Sequence, residues 1–167
     1  MFNPNYGGGI LGYLYSYDSE SMEIRNCYTK GTLTSSTYQY PSNYLGGLIG
    51  QNYNYYGTTY VENSYSSCSI DFSTSSYRYC GSLVGENGRG LSMYNCFTTQ
   101  TEKADGSASL PIVGKESSSS YDYNAYSSSD GYLAYERESY GLESWDSTIW
   151  DGLDTATPKL KNVAGQE

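Results

Sequence analysis

The chain has 167 residues, which suggests one domain, and its 9 Lys and Arg against 18 Asp and Glu give a formal net charge of -9. This balance disfavours nucleic acid and anionic membrane surfaces as partners, because both need clustered basic side chains. No apolar run approaches the ~20 residues needed to cross a bilayer, so membrane insertion is not expected.

The composition predicts an all-β fold. Tyr contributes 22 residues against 3 Phe and 2 Trp, and Ser, Thr, Asn and Gly are abundant. Tyr and Thr favour pleated, half-buried surfaces, while Gly, Asn and Ser favour turns.

Two short signatures recur along the chain, always in the same order. The first is two apolar residues followed by Gly, and its closing glycines lie 38, 35 and 29 residues apart. The second is Asn, a small residue, an aromatic and then Thr or Ser, with its asparagines 37, 32 and 29 residues apart. The glycines are Gly12, Gly50, Gly85 and Gly114, the asparagines are Asn26, Asn63, Asn95 and Asn124, and the aromatics are Tyr28, Tyr65, Phe97 and Tyr126.

Short strands with this period predict a parallel β-helix, or β-solenoid, of about four irregular coils with a C-terminal cap. One repeat cannot bury its own apolar face, so successive repeats must stack in parallel with equivalent residues roughly 4.8 Å apart. The predicted repeats span about 7–45, 46–80, 81–109 and 110–131, within a repeat region of 1–131. Residues 132–167 form the predicted capping segment, including a short helix around Ala134–Tyr140. Its apolar residues are expected to cover exposed strand edges: Leu133, Tyr135, Tyr140, Leu142, Trp145 and Trp150.

In-register stacking assigns a role to each recurring position. The Gly column would occupy a corner that needs positive φ or a close backbone approach. The Asn column would adopt the left-handed conformation, with its amides bonded between repeats. The aromatic column would form a stack of rings. The sequence is compatible with this stack on either the inner or the outer face of the sheet.

The four cysteines are Cys27, Cys68, Cys80 and Cys96, and the chain has no His and no Cys-x-x-Cys pair, so neither a metal nor another cofactor is expected. Cys27 and Cys96 share a column two repeats apart, roughly 9.6 Å, which is too far for a disulfide. Cys68 and Cys80 could form a disulfide or remain free thiols. We favour the second alternative, in which all four cysteines are buried free thiols.

Residues Gly46–Asn52 and Gly81–Asn87, together with the Asn-Cys-Tyr-Thr block, resemble the GLUG repeat, which is named for its Gly-Leu-any-Gly core. That repeat occurs in bacterial surface proteins, including immunoglobulin A-cleaving metallopeptidases. The resemblance covers roughly residues 7–127. It implies a β-helix-like fold, an extracellular bacterial setting, and a role as stalk, spacer or adhesive module without catalytic residues.

The charged residues form no catalytic constellation in the sequence. Arg25 and Glu62 align on neighbouring repeats and predict an exposed ion pair. There is no Ser-His or Cys-His pair and no phosphate-binding loop. The remaining acids are expected in turns, without a common column: Glu86, Glu102, Asp105 and Glu116.

The tyrosines are the stronger functional candidates, because they are too many for so small a core. Exposed Tyr is a low-entropy contact residue that stacks on sugar rings or protein partners. The alternative is that these rings shield the flanks of the fold. Two stretches are expected to be long loops, Tyr13–Ser21 and Gln51–Thr58. The candidate binding residues are Tyr53, Tyr55, Tyr56, Tyr121 and Tyr123.

The predicted function is a non-catalytic module, on a bacterial cell surface or secreted, that serves as adhesin, stalk or interaction domain. The alternative is a carbohydrate-binding or polysaccharide-processing β-helix domain that uses exposed tyrosines. The expected partners are a protein or glycan ligand, further repeats of a longer parent chain, or a second copy. Residues Met1–Tyr6 do not read as a signal peptide, so we expect a segment of a larger secreted protein.

Overall fold

The computed structural model describes residues 6–35, 43–72, 78–100, 102–107, 109–117, 121–127, 145–153 and 158–164. All regular secondary structure in these ranges is β-strand, which confirms the all-β prediction. The strands are β1 (Tyr6–Gly8), β2 (Leu11–Ser16), β3 (Met22–Arg25), β4 (Tyr28–Ser35), β5 (Asn43–Gly46), β6 (Ile49–Asn54), β7 (Thr59–Glu62), β8 (Tyr65–Phe72), β9 (Arg78–Gly81), β10 (Val84–Arg89), β11 (Leu91–Thr98), β12 (Val113–Glu116), β13 (Tyr121–Ser127), β14 (Trp150–Asp151) and β15 (Lys159–Leu160).

Three sheets are built from strands of successive repeats, and all their pairings are parallel. The first has the order β1-β5-β9, and the second has the order β12-β10-β6-β2. In the third, β3 and β4 pair with β7 and β8, which pair with β11, and β11 also pairs with β13. Equivalent residues face each other across these sheets: Leu11 pairs with Ile49, Ile49 with Val84, and Val84 with Val113. Strands β14 and β15 form a separate antiparallel pair.

The main core is built mostly from the apolar pairs of the Gly signatures and from the apolar residues two positions before the first three Asn. In the second and third repeats these side chains are fully buried, at ~1.5–3 kcal/mol each relative to exposure. In the first repeat, Ile10 remains 41% exposed and Leu11 is half-buried. The buried members of this core are Ile24, Leu48, Ile49, Val61, Leu83, Val84, Leu91, Met93 and Cys96.

The Asn column forms a left-handed corner in the first three repeats. Asn26, Asn63 and Asn95 have φ values of 52°, 47° and 53°. The Asn95 Nδ2 donates to the Asn63 Oδ1 at 3.3 Å, so the amides of these two repeats are linked as expected. Asn124 lies in β13, whose side chains fall outside the described residues.

The Gly column is explained by close backbone approach and not by positive φ. The described glycines with positive φ are Gly31, Gly90, Gly106 and Gly152, and the column glycines are not among them. A methyl group on Gly50 would overlap the carbonyl oxygen of Gly12, and one on Gly85 would overlap that of Gly50. The positive-φ alternative was therefore wrong for these four positions.

The ring column lies apart from the main core and is covered by the C-terminal segment. The Tyr28 and Tyr65 ring centroids are 5.3 Å apart, and those of Tyr65 and Phe97 are 4.7 Å apart, with the planes nearly parallel. Trp145 and Trp150 pack against these rings and against each other.

Three hydrogen bonds hold this segment along the flank of three repeats. The Trp145 Nε1 donates to the backbone oxygen of Asn95 at 3.1 Å, and the Trp150 Nε1 donates to the Asn26 Oδ1 at 3.3 Å. The Tyr65 hydroxyl donates to the backbone oxygen of Pro158 at 2.6 Å. The predicted helix and the other capping residues lie outside the described residues.

Several local expectations were wrong. The stretches taken as loops begin with strands β2 and β6, because Tyr13, Tyr15 and Tyr53 continue the alternation after the Gly corner. Glu86 and Glu116 lie in β10 and β12 and not in turns. The segment around Glu86 is extended by pairing with β6 and β12, and Glu116 is extended by pairing with β10. All four cysteines are free thiols, but only three of them are buried, because Cys27 is half-buried.

The close approach at the Gly column predicts that Gly50→Ala destabilises the fold by about 3 kcal/mol, because backbone paired on both sides cannot yield. Gly106→Ala is the control: φ is 69° there, but the nearest atom to an added methyl is 3.6 Å away. It should cost only about 1 kcal/mol of left-handed strain. Urea unfolding measures both, and equal losses would contradict the close-approach explanation.

The contact between Tyr65 and the C-terminal segment predicts a loss of stability in alkali. Burial, and then the nearby Tyr28, raise the pKa of Tyr65 above the ordinary value. This stabilisation is complete below pH ~10 and declines as pH rises toward the folded-state pKa. Tyr65→Phe should cost about 1–2 kcal/mol at neutral pH and flatten the decline above pH ~10. Tyr56→Phe, at an exposed ring, should change neither; an unchanged decline in Tyr65→Phe would refute the assignment.

Candidate functional site

Nine tyrosines of the first three repeats form one connected surface of rings, here called the tyrosine surface. Each ring lies within 6.3 Å, centroid to centroid, of at least one other member. The members are Tyr6, Tyr13, Tyr15, Tyr17, Tyr44, Tyr53, Tyr55, Tyr56 and Tyr79.

Strand register builds this surface. Tyr6, Tyr44 and Tyr79 face each other in the first sheet, and their rings stack at 5.2 and 5.4 Å. In the second sheet Tyr15 pairs with Tyr53, with ring centroids 5.7 Å apart. Each such aromatic pair contributes about 0.5–1.5 kcal/mol beyond its buried area.

The backbone of the third repeat leaves room for one of these rings. Tyr53 pairs with Arg89 across a bulge that contains Gly88, and a methyl group added to Gly88 would overlap the Tyr53 ring. The ring therefore lies directly over the sheet backbone, and a larger residue at position 88 would displace it.

Part of the tyrosine surface is open to solvent. Tyr13, Tyr15, Tyr17 and Tyr56 are 44% to 66% exposed. The Tyr15 and Tyr17 hydroxyl groups are hydrogen-bonded at 2.8 Å, and this bond, followed by the charge of the neighbouring phenol of Tyr15, raises the pKa of Tyr17. Partial burial, with the neighbouring phenols, raises the pKa of Tyr13. Tyr13 and Tyr17 are therefore uncharged at neutral pH. Each presents an apolar ring and a hydroxyl group to a ligand.

The structure separates the five candidate binding tyrosines. Tyr53, Tyr55 and Tyr56 belong to the tyrosine surface, whereas Tyr121 and Tyr123 lie in β13, whose side chains are outside the described residues.

Sequence reasoning missed the members in the first repeat. The signal was present, because Tyr15 and Tyr53 both stand three residues after the closing Gly of the signature. The assumption of a loop concealed this equivalence.

A buried carboxylate lies beside this surface. Glu86 is 4% exposed and accepts hydrogen bonds from the Gln51 Nε2 and, at 2.8 Å, from the Ser117 Oγ. The Lys115 Nζ lies 2.8 Å from the Glu86 Oε1 and 4.2 Å from the centroid of the Tyr79 ring. Burial lowers the pKa of Lys115, but the hydrogen bond and charge of Glu86 outweigh it and raise the pKa. Glu86 is committed to three partners, and this arrangement suits a structural role.

An open cleft of about 390 Å³ adjoins the tyrosine surface at the turn between the second and third sheets. The guanidinium carbon of Arg89 lies 4.3 Å from the centroid of the Tyr55 ring at this cleft. The lining residues are Asn54, Tyr55, Tyr56, Gly57, Thr58, Arg89, Gly90 and Ser92.

The remaining charged residues offer fewer candidates for a functional site than the tyrosine surface does. In the part of the chain that the structure describes, no three His, Cys, Asp or Glu side chains are grouped to hold a metal ion. The Arg25 Nε lies 3.1 Å from the Glu62 Oε2, so the predicted ion pair between repeats is present. The same described residues contain no helix long and apolar enough to cross a membrane.

No family model, curated protein or solved structure matches this chain.

The Glu86 cluster predicts that Glu86→Ala destabilises the protein by about 2–3 kcal/mol, because Lys115 and Gln51 lose their buried acceptor. Glu102→Ala, at an exposed side chain, should change the free energy of unfolding by less than about 0.5 kcal/mol. Chemical unfolding at pH 7 measures both, and similar values would contradict the structural role of Glu86.

Proposed function

We propose that this chain is a non-catalytic β-helical interaction module whose tyrosine surface binds the ligand. The chain visits the three parallel sheets in turn, through β1, β2, then β3 and β4, and returns to the first sheet at β5. The second repeat follows the same order, and the third continues it through β9, β10 and β11. This path supports a parallel β-helix of about four coils.

The observation that carries the proposal is the exposure of connected rings. Soluble proteins rarely leave a contiguous apolar patch open unless it meets a partner. Tyr supplies a large contact area at low conformational cost, and its hydroxyl satisfies polar groups of the ligand. Tyr6, Tyr13, Tyr15, Tyr44, Tyr53 and Tyr79 are held on strands, so binding at these rings would cost little conformational entropy.

The biological setting rests on the resemblance to GLUG repeats. It supports a bacterial cell-surface or secreted protein in which the module acts as adhesin, stalk or interaction domain. The free thiols are compatible with an oxidising environment. Burial raises the pKa of Cys96 to about 12 and also raises that of Cys27, so both thiols are poor nucleophiles.

Carbohydrate is the second candidate ligand class, and the exposure of the rings favours it. Exposed phenols combine apolar ring surface with hydroxyl groups, and both suit the C–H faces and hydroxyl groups of sugar rings. Glu86 is held by Lys115, Gln51 and Ser117, so this carboxyl group is not free to exchange a proton with a polysaccharide.

An adhesion assay tests the proposal. We expect the double variant Tyr17→Ser/Tyr56→Ser to bind printed glycans or plates coated with mucin or fibronectin at least ~10-fold less than wild type, because two exposed rings are lost. Tyr60→Ser, at a half-buried ring outside the tyrosine surface, is the matched control.

Thermal unfolding verifies that both variants are folded. If the double variant adheres as well as wild type does, the tyrosine surface is not the binding site.

A further inference from the structure

Arg89 has no acidic partner in the described part of the chain. Its recorded side-chain contact there is the Tyr55 ring, and no carboxylate of those residues lies within 4.0 Å of its guanidinium group. A chain with twice as many acidic as basic residues has many carboxylates to offer. Stacking on Tyr55 fixes the plane of the guanidinium group and leaves its N–H groups available to a ligand.

The cleft around Arg89 is preorganised by two glycine turns. The buried Asn54 accepts from the Gly57 backbone N–H at 3.1 Å, and Gly90 adopts a φ of 67°. A methyl group on Gly57 would overlap the backbone oxygen of Glu20, and one on Gly90 would overlap that of Asn54. The turns therefore pack tightly beneath an open space.

The walls of the cleft combine rings with hydroxyl groups. Tyr56 is 66% exposed at its rim, and Tyr55 stands behind the guanidinium group. Thr58 and Ser92 also line the cleft, and their hydroxyl groups form no hydrogen bond with other described residues. A volume of about 390 Å³ lies in the range of clefts that bind small ligands.

We propose that this cleft binds an acidic sugar, with its carboxylate on Arg89 and its pyranose ring against Tyr56. This inference rests on the carbohydrate-binding candidate above. A planar guanidinium group binds a carboxylate through two parallel hydrogen bonds. Thr58 and Ser92 then form hydrogen bonds with the sugar hydroxyl groups. A uronic or sialic acid combines the ring, the hydroxyl groups and the carboxylate in one sugar residue.

An acidic peptide fits the same cleft less well. Extended peptides bind through main-chain hydrogen bonds to an open strand. Here the Gly57 N–H is bonded to Asn54, and the Gly90 oxygen accepts from the Thr59 N–H at 2.8 Å. These backbone groups beside the cleft already form hydrogen bonds within the protein, so they are not available to a peptide.

The negative net charge of the protein disfavours binding of an anion. The attraction between Arg89 and the carboxylate must outweigh this repulsion. Glu20 contributes its backbone oxygen to the turn below Gly57, and its side chain is exposed nearby. At physiological salt the wider negative charge is screened beyond ~8 Å, whereas Arg89 acts at contact distance. Glu20→Gln should therefore strengthen binding of an acidic sugar about 2–3-fold.

Calorimetry with matched sugar pairs tests the inference. The pairs are sialyllactose with lactose, and trigalacturonate with its methyl ester. We expect wild type to bind at least one acidic member ~10-fold more tightly than its neutral counterpart, and Arg89→Gln to abolish that preference. Arg25→Gln, at an exposed ion pair outside the cleft, should leave the preference intact.

The outcomes separate this inference from the proposed function. Equal affinity of wild type for acidic and neutral members, or an equal loss of both in Arg89→Gln, overturns the acidic-sugar site and leaves carbohydrate binding standing. Absence of binding to every sugar overturns it as well. Adhesion to protein-coated plates that depends on Tyr17 and Tyr56 would then still support an interaction module.

Discussion

Parallel hydrogen bonding between equivalent strands of successive repeats is the constraint on which this structure depends. It requires the backbone of one repeat to approach the next without obstruction, and Gly50, Gly85 and Gly114 meet that requirement because they carry no side chain. It also requires the chain to turn at a fixed place, which the left-handed Asn26, Asn63 and Asn95 provide. These two requirements explain why Gly and Asn recur at fixed positions of the sequence.

In-register stacking has the same effect inside and outside the protein. Inside, it gathers apolar pairs into a core that one repeat could not bury alone. Outside, it turns single tyrosines into rows, so that Tyr6, Tyr44 and Tyr79 lie ring against ring. The tyrosine surface therefore follows from the repeat, and the Arg89 cleft occurs where the third repeat replaces a ring with a cation.

The sequence was sufficient to predict the all-β class, the parallel order and the Asn corner, because each depends on local spacing. It misplaced Tyr13, Tyr15 and Glu86, since polar and aromatic residues near Gly resemble a turn until a neighbouring strand pairs with them. The packing of Trp150 on Tyr28 joins residues more than a hundred positions apart and has no local signal. The candidate tyrosines Tyr53, Tyr55 and Tyr56 were found from the sequence, but the full extent of the ring cluster was missed, because it depends on which strands become neighbours.

The pattern of nuclear Overhauser effects between backbone protons tests the central claim most directly. The account predicts contacts that link Ile24 to Val61 and Val61 to Met93, one repeat apart, as parallel strands require. Short contacts between α-protons of β6 and β7, as in an antiparallel hairpin, without contacts from Ile24 to Val61, would contradict it.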